Sequence, residues 1–191
     1  MNVYDFDKTL YPRDSEFEFY LELMARYPAL FLSLPEQCGA GLRFLFGKIS
    51  KTECKARVYA ALSRVPDIDR EVSAFWDRHE KDIEPYYLLL HRPDDVVISA
   101  SPSFLLQEIV NRLDIGTLIA SPVDKKTGAY AGENCYGQEK CRRYREVFGD
   151  APIDDFFSDS LSDTPMARMA ARAFLIKGHR PTPWPWEKCG G

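Results

Sequence analysis

The chain has 191 residues, 45% of them hydrophobic, and carries 25 lysines and arginines against 29 aspartates and glutamates, for a formal net charge of −4. That length suits one domain, or one domain with a modest insertion, and the mild acidity gives no reason to expect a nucleic-acid partner. The N-terminus lacks a signal-peptide pattern, no run approaches the roughly 18 apolar residues of a membrane span, and the five cysteines contain no C-x-x-C pair, so a cytoplasmic protein with reduced thiols and no membrane partner is expected.

Residues 2–7 read as a short buried strand that ends in two acids, Asp5 and Asp7. Ser15-Glu16-Phe17-Glu18 fits a capping box, and Phe17, Tyr20, Leu21 and Met24 then recur at helical spacing until Pro28 and Pro35 interrupt. Ser50-Lys51-Thr52-Glu53 is a second capping box, opening a helix to about residue 63. A third helix runs from Asp67 towards Pro85, with Ile68, Val72, Phe75, Trp76, His79 and Ile83 on one side. The pattern changes at Asp94. Strands are expected at 96–98, 118–120, up to 157, and 173–176. Helices are expected at 104–113, 138–148 and 164–172. A glycine-rich hairpin or irregular loop falls at 127–137, and the proline-rich tail from Arg180 is extended. Strands alternating with helices imply a parallel sheet covered on both faces. The expected fold is therefore α/β, a Rossmann-like parallel-sheet core at 1–13 and 87–191 with an all-helical domain inserted at 14–86. That insertion lies over the carboxyl ends of the strands, where open α/β sheets bind ligands.

Those strand ends carry the chemistry. The first holds Asp5 and Asp7, the second Ser99 and Ser101, and a later one Ser158-Asp159-Ser160-Leu161-Ser162-Asp163, while Lys140 lies on the helix after the glycine-rich loop. Carboxylates gathered this closely need a cation, and hard oxygen ligands select Mg²⁺. A lysine and a hydroxyl in the same crevice suit phosphate oxygens. An aspartate can itself be a nucleophile, and a second one two residues on can move the proton.

These residues carry a resemblance. D-F-D-K-T-L at 5–10 is similar to the D-x-D-x-T signature of the haloacid dehalogenase superfamily, and the hydroxyl, lysine and acidic motifs follow in that family's order over nearly the whole chain. The insertion resembles its helical cap of the first type, and S-P-S-F at 101–104 and Y-G-Q-E-K at 136–140 resemble its phosphoserine-phosphatase-like branch. The resemblance implies a Mg²⁺-dependent phosphomonoesterase acting on a small soluble phosphate ester through an aspartyl-phosphate. Asp5 would be the nucleophile and Asp7 the general acid and base. Ser101 would hydrogen-bond the phosphoryl group and Lys140 would neutralise charge. Asp159, with the Asp5 carboxylate and the Asp7 carbonyl, would hold the metal, and Asp163 would support the metal or Lys140. The family often has glycine where this chain has Ser158, and Ser99 competes with Ser101 for the hydroxyl role.

Plainer readings stand beside these. Asp14 matches a substrate-facing acid of phosphoserine phosphatases, or is a helix N-cap. The stretch 36–65 carries six basic residues (Arg43, Lys48, Lys51, Lys55, Arg57, Arg64) and two acidic ones (Glu36, Glu53), which reads as a solvated face before it reads as an anion site. Asp154 and Asp155 read as solvated loop acids, His79 and His91 as structural, and Trp184 and Trp186 as packing. Neither a dinucleotide fingerprint nor a P-loop occurs. The alternatives on the same fold are a non-catalytic regulatory or binding protein and a dehalogenase, the latter disfavoured because it needs neither Asp7 nor the later acids.

Overall fold

Val3 and Tyr4 form the first strand, β1, a two-residue element at the centre of a six-stranded sheet in the computed structural model, which describes residues 1–188. The strand is short because the Phe6 carbonyl accepts from the amides of Thr9, Leu10 and Tyr11 at 3.2, 2.8 and 3.0 Å, curling the chain away at once. Lys8, at φ 58°, takes the left-handed conformation that the curl requires.

Five helices then precede the next strand: α1 (Ser15–Arg26), α2 (Leu34–Leu45), α3 (Lys51–Tyr59), α4 (Ile68–His79) and α5 (Pro85–Leu90). The boundary expected at residue 86 thus falls inside α5. The Ser50–Glu53 capping box is formed, with both reciprocal hydrogen bonds present. The first expected box is not. Asp14 caps α1 by accepting from the Phe17 amide at 3.0 Å, and the Ser15 amide is already taken by the Asp7 carboxylate.

The remainder is β2 (Val96–Pro102), α6 (Ser103–Arg112), β3 (Thr117–Ser121), α7 (Gln138–Phe148), β4 (Ile153–Ser158), α8 (Thr164–Ala167), β5 (Ala170–Lys177) and β6 (Arg180–Pro183). The order across the sheet is β3-β2-β1-β4-β5-β6, every pair parallel except β5–β6. The helix expected at 164–172 stops after four residues, because Ala170 already pairs with Ile153 of β4; sheet pairing overrides the helix propensity of the alanines. The tail forms β6 rather than a free extended segment. Gly178 and His179, at φ 51° and 67°, make the tight turn a hairpin needs, and Pro181 and Pro183 are tolerated because this strand is the edge. Trp184 is buried against Phe156. Cys189 lies outside the described residues.

Side chains alternate across the central strands, and both faces are apolar, as a doubly covered parallel sheet demands. Val3, Val96, Ile98 and Phe156 point towards α7 and α8 and pack with Tyr144, Met166 and Leu175. Tyr4, Val97 and Phe157 point the other way and pack in one cluster with α6 and α4. There the buried Trp76 indole donates to the Leu105 carbonyl at 2.8 Å, tying the helical insertion to the sheet's own helix. Asp154 and Asp155 correct their reading as loop acids. Both lie on β4, where Asp154 meets the N-terminal ammonium at 2.9 Å, and the buried Asp155 is gripped by both arms of Arg172 on β5. His79 is bonded to Glu22 at 2.7 Å and His91 to the Asp114 carbonyl at 3.1 Å, structural roles in both cases.

Candidate active site

The carboxyl ends of β1, β2 and β4 and the first turn of α7 open onto a cavity of about 420 Å³, a volume suited to a small molecule. The sheet side supplies Asp5, Asp7, Ser99, Ser101, Lys140, Asp159 and Asp163, so the structure brings these strand-end and helix-start residues together, while Ser158 and Leu161 do not line the cavity.

Asp5 follows β1 directly, its amide held by the Phe157 carbonyl at 2.8 Å. Lys140 reaches it from the first turn of α7, which starts after Gly137 at φ 58°. The Lys140 ammonium is almost wholly buried and donates to Asp5 Oδ1 at 2.8 Å and Asp163 Oδ2 at 2.7 Å. The second Asp5 oxygen accepts no hydrogen bond among the described residues. Asp163 also accepts from the Ser158 hydroxyl at 2.8 Å, and that hydroxyl accepts from the Ser160 amide at 3.1 Å. Ser158, where the family often has glycine, is thus a working part of the network.

Asp7 is fixed differently. One oxygen accepts from the Ser15 amide at 2.7 Å and the other from the Ser101 hydroxyl. Ser99 lines the cavity too, but its hydroxyl accepts from the Ser101 amide at 3.1 Å and so positions its neighbour. Ser101 is not a side-chain cap: α6 is entered through Pro102 without one.

Burial dominates the electrostatics. It pushes the Asp5 carboxyl up to about 7 against the pull of Lys140. It also pushes Asp7 up to about 6 against its Ser101 and Ser15 hydrogen bonds, and it raises Asp159. Burial opposes the Lys140 ammonium, but Asp5 and Asp163 outweigh it and hold its pKa above the ordinary lysine range. Asp5 and Asp163 therefore share the buried Lys140, Asp7 and Asp159 line the same cavity, and Asp163 Oδ1 is buried with no hydrogen-bond partner among the described residues. This surplus of hard oxygen donors suits a hard divalent cation, whose charge would draw the carboxyls back down. Among the described residues no group of three or more His, Cys, Asp or Glu converges as a ready cage. A few carboxylates facing an open cavity suit an ion held by few protein ligands, as Mg²⁺ commonly is.

The helical insertion closes the other side with Asp14, Glu16, Phe17, Tyr20, Lys51, Lys55, Val58 and Tyr59. Lys55 pairs with Glu16 at 2.6 Å and donates to the Ala100 carbonyl at 3.2 Å. The Lys51 ammonium sits 3.9 Å from the centre of the Tyr136 ring. Asp14 is both N-cap and cavity wall. Sequence reasoning met Glu16 and Lys51 in capping boxes, Tyr136 in a motif and Lys51 and Lys55 in a basic stretch, without placing them at the site, and did not single out Tyr59. Their convergence depends on how α1 crosses α3, which no local periodicity encodes.

The family model for haloacid dehalogenase-like hydrolases matches residues 3–168. No curated protein sequence matches significantly. Among solved structures, the chain is similar to a protein of unknown function from Bordetella pertussis Tohama I, with 18% identity and TM-score 0.69 over 98% of this chain and 92% of that one. It is also similar to a HAD family hydrolase from Salmonella enterica serovar Typhi, at 15% identity and TM-score 0.65, covering 91% of this chain and 61% of that one. A third is a phosphoserine phosphohydrolase-like protein from Francisella tularensis, at 15% identity and TM-score 0.57, covering 94% and 88%. At these identities the likeness is one of fold. The family match runs from β1 through the helical insertion to α8 and so takes in every strand end that lines the cavity; the chain belongs to the haloacid dehalogenase-like hydrolase family.

Proposed function

We propose that the protein is a Mg²⁺-dependent phosphatase that hydrolyses a small-molecule phosphomonoester through an aspartyl-phosphate on Asp5. The observation that carries this reading is the different holding of the two acids. Asp5 is paired on one oxygen with the buried Lys140, and its other oxygen is unbonded among the described residues, whereas Asp7 is clamped on both oxygens by neutral donors. The first arrangement suits a nucleophile and the second a proton carrier. Asp5 would attack phosphorus in line, and Asp7 would give its proton to the leaving oxygen. Asp7 would then take a proton from the water that attacks the acyl phosphate, which restores both carboxyls. Ser101 would turn its hydroxyl to the phosphoryl oxygens, and Lys140 would offset their charge. Asp5, Asp159 and the Asp7 carbonyl, with Asp163 in support, would hold Mg²⁺, which when bound neutralises phosphoryl charge.

The helices at 14–86 would act as the cap, excluding bulk water and setting specificity, with Asp14 facing the substrate. Four free thiols among the described residues, two of them buried, support a cytoplasmic setting.

The test is phosphate release from a panel of phosphomonoesters, with and without Mg²⁺, for wild type and Asp5→Asn. Release is expected only with Mg²⁺, and kcat should fall by about a thousandfold or more in the variant. Release that survives Asp5→Asn would overturn the mechanism. A protein that binds Mg²⁺ but turns over no ester would point instead to a binding role.

A further inference from the structure

Helix α2 wears its apolar side chains outward. Only Ala40 of its twelve residues is buried. Leu42, Phe44 and Leu45 are exposed, and so are Phe46 just beyond the helix and Phe31 and Leu32 in the turn before it. Leu32, Leu45 and Phe46 are 73, 78 and 75% exposed. A β-carbon added at Gly39 or Gly41 would meet nothing within 4 Å, so no other element packs against the helix there. Six large apolar side chains within sixteen residues make more than the scattered exposure normal for a soluble surface.

Residues 31–51 carry Arg43, Lys48 and Lys51 against one acid, Glu36 on α2 itself, although the chain is acidic overall. Arg43 lies within it and Lys48 directly after it, both exposed and neither within 4 Å of a carboxylate among the described residues. Exposed leucine and phenylalanine flanked by basic residues is the pattern of helices that lie in the interface of a bilayer. We infer that the α2 face of the helical insertion docks on the surface of an anionic lipid bilayer. No helix among the described residues is long and apolar enough to cross a membrane, and the expectation of no membrane partner rested on the lack of a long apolar run. Both observations concern spanning, whereas this contact lies on the surface. The other side of the same helix adjoins the cavity, since Gln37 of α2 donates to Tyr20 in the cavity wall.

The test is flotation of the full chain with vesicles of phosphatidylcholine alone and with phosphatidylglycerol added, at low and high salt. Wild type is expected to float with the phosphatidylglycerol vesicles and to be released by salt. Arg43→Gln/Lys48→Gln should weaken that binding by about thirtyfold, and Leu45→Ser/Phe46→Ser should abolish it. These positions are exposed, so melting temperature and far-ultraviolet circular dichroism should match wild type. Equal binding to both vesicle types, or binding that survives the apolar substitutions, would overturn the inference. So would a folded protein that ignores vesicles, including one that forms a dimer broken by Leu45→Ser/Phe46→Ser.

Discussion

Lys140 is the residue on which the polar centre turns. It joins two carboxylates that burial would otherwise keep apart from any cation. Removing one partner of such a group leaves uncompensated buried charge, which costs more than the ion pair contributes. Lys140→Met should therefore lower unfolding free energy at neutral pH by about 3–5 kcal/mol in denaturant titration; a variant as stable as wild type would mean that Asp5 and Asp163 do not depend on it. Much of this centre was legible in the sequence, because each contributor closes a strand or opens a helix, and such positions converge in a parallel sheet. Ser158 was legible only as a departure from pattern. Its hydrogen bonds to Asp163 and Ser160 need the fold of the turn after β4 before they mean anything. Asp155 was misread for a related reason: a charged residue next to another acid reads as solvated until the strand beside it supplies Arg172.

Among elements, the glycine-rich loop between β3 and α7 acts as a strap under the helical insertion. Gly128, at φ 72°, lies so close to α3 that a β-carbon there would stand 2.3 Å from the Ala60 amide nitrogen and the Tyr59 carbonyl carbon. Gly149, also at positive φ (63°), has nothing within 4 Å. Alanine at Gly149 should cost about 1–3 kcal/mol from conformation alone, and alanine at Gly128 clearly more, because the atoms it meets are rigid backbone; equal losses in thermal melts would show that the strap does not bear on α3. The loop's other end is tied through Arg143, which donates to the Ala120 and Glu133 carbonyls and to Glu139 on its own helix. Hydrogen bonds from Arg142 first, and then from Arg143, hold the Glu139 carboxyl down from 4.5 to about 2. A carboxyl held low in the folded state binds fewer protons there than when unfolded. Its contribution is therefore present above the ordinary value and lost as pH falls towards 2. Between neutral pH and pH 3, wild type should lose up to about 1 kcal/mol more stability than Glu139→Gln, a figure discounted for solvent screening. The reverse order would deny the linkage. The α3 capping box was readable from four residues because it is wholly local, whereas the strap and the Glu16–Lys55 pair are contacts between distant segments and left no periodic trace.

At the scale of the whole molecule, two clusters on opposite faces of the sheet divide the work. One, with α7 and α8, steadies the strand ends that carry the acids; the other continues without a break from α6 into α4. Trp76 lies at that junction, fully buried, edge-on to Phe6 and Tyr11 and bonded to the Leu105 carbonyl. Lifting α4 away would expose the indole and break its hydrogen bond to a buried carbonyl. Mechanically, α4 is the tethered end of the insertion: an opening that admitted a ligand would leave it in place and carry the distal stretch around α2 as an arm. Optically, the same arrangement would make Trp76 a still reference, its emission unchanged by movement of that arm.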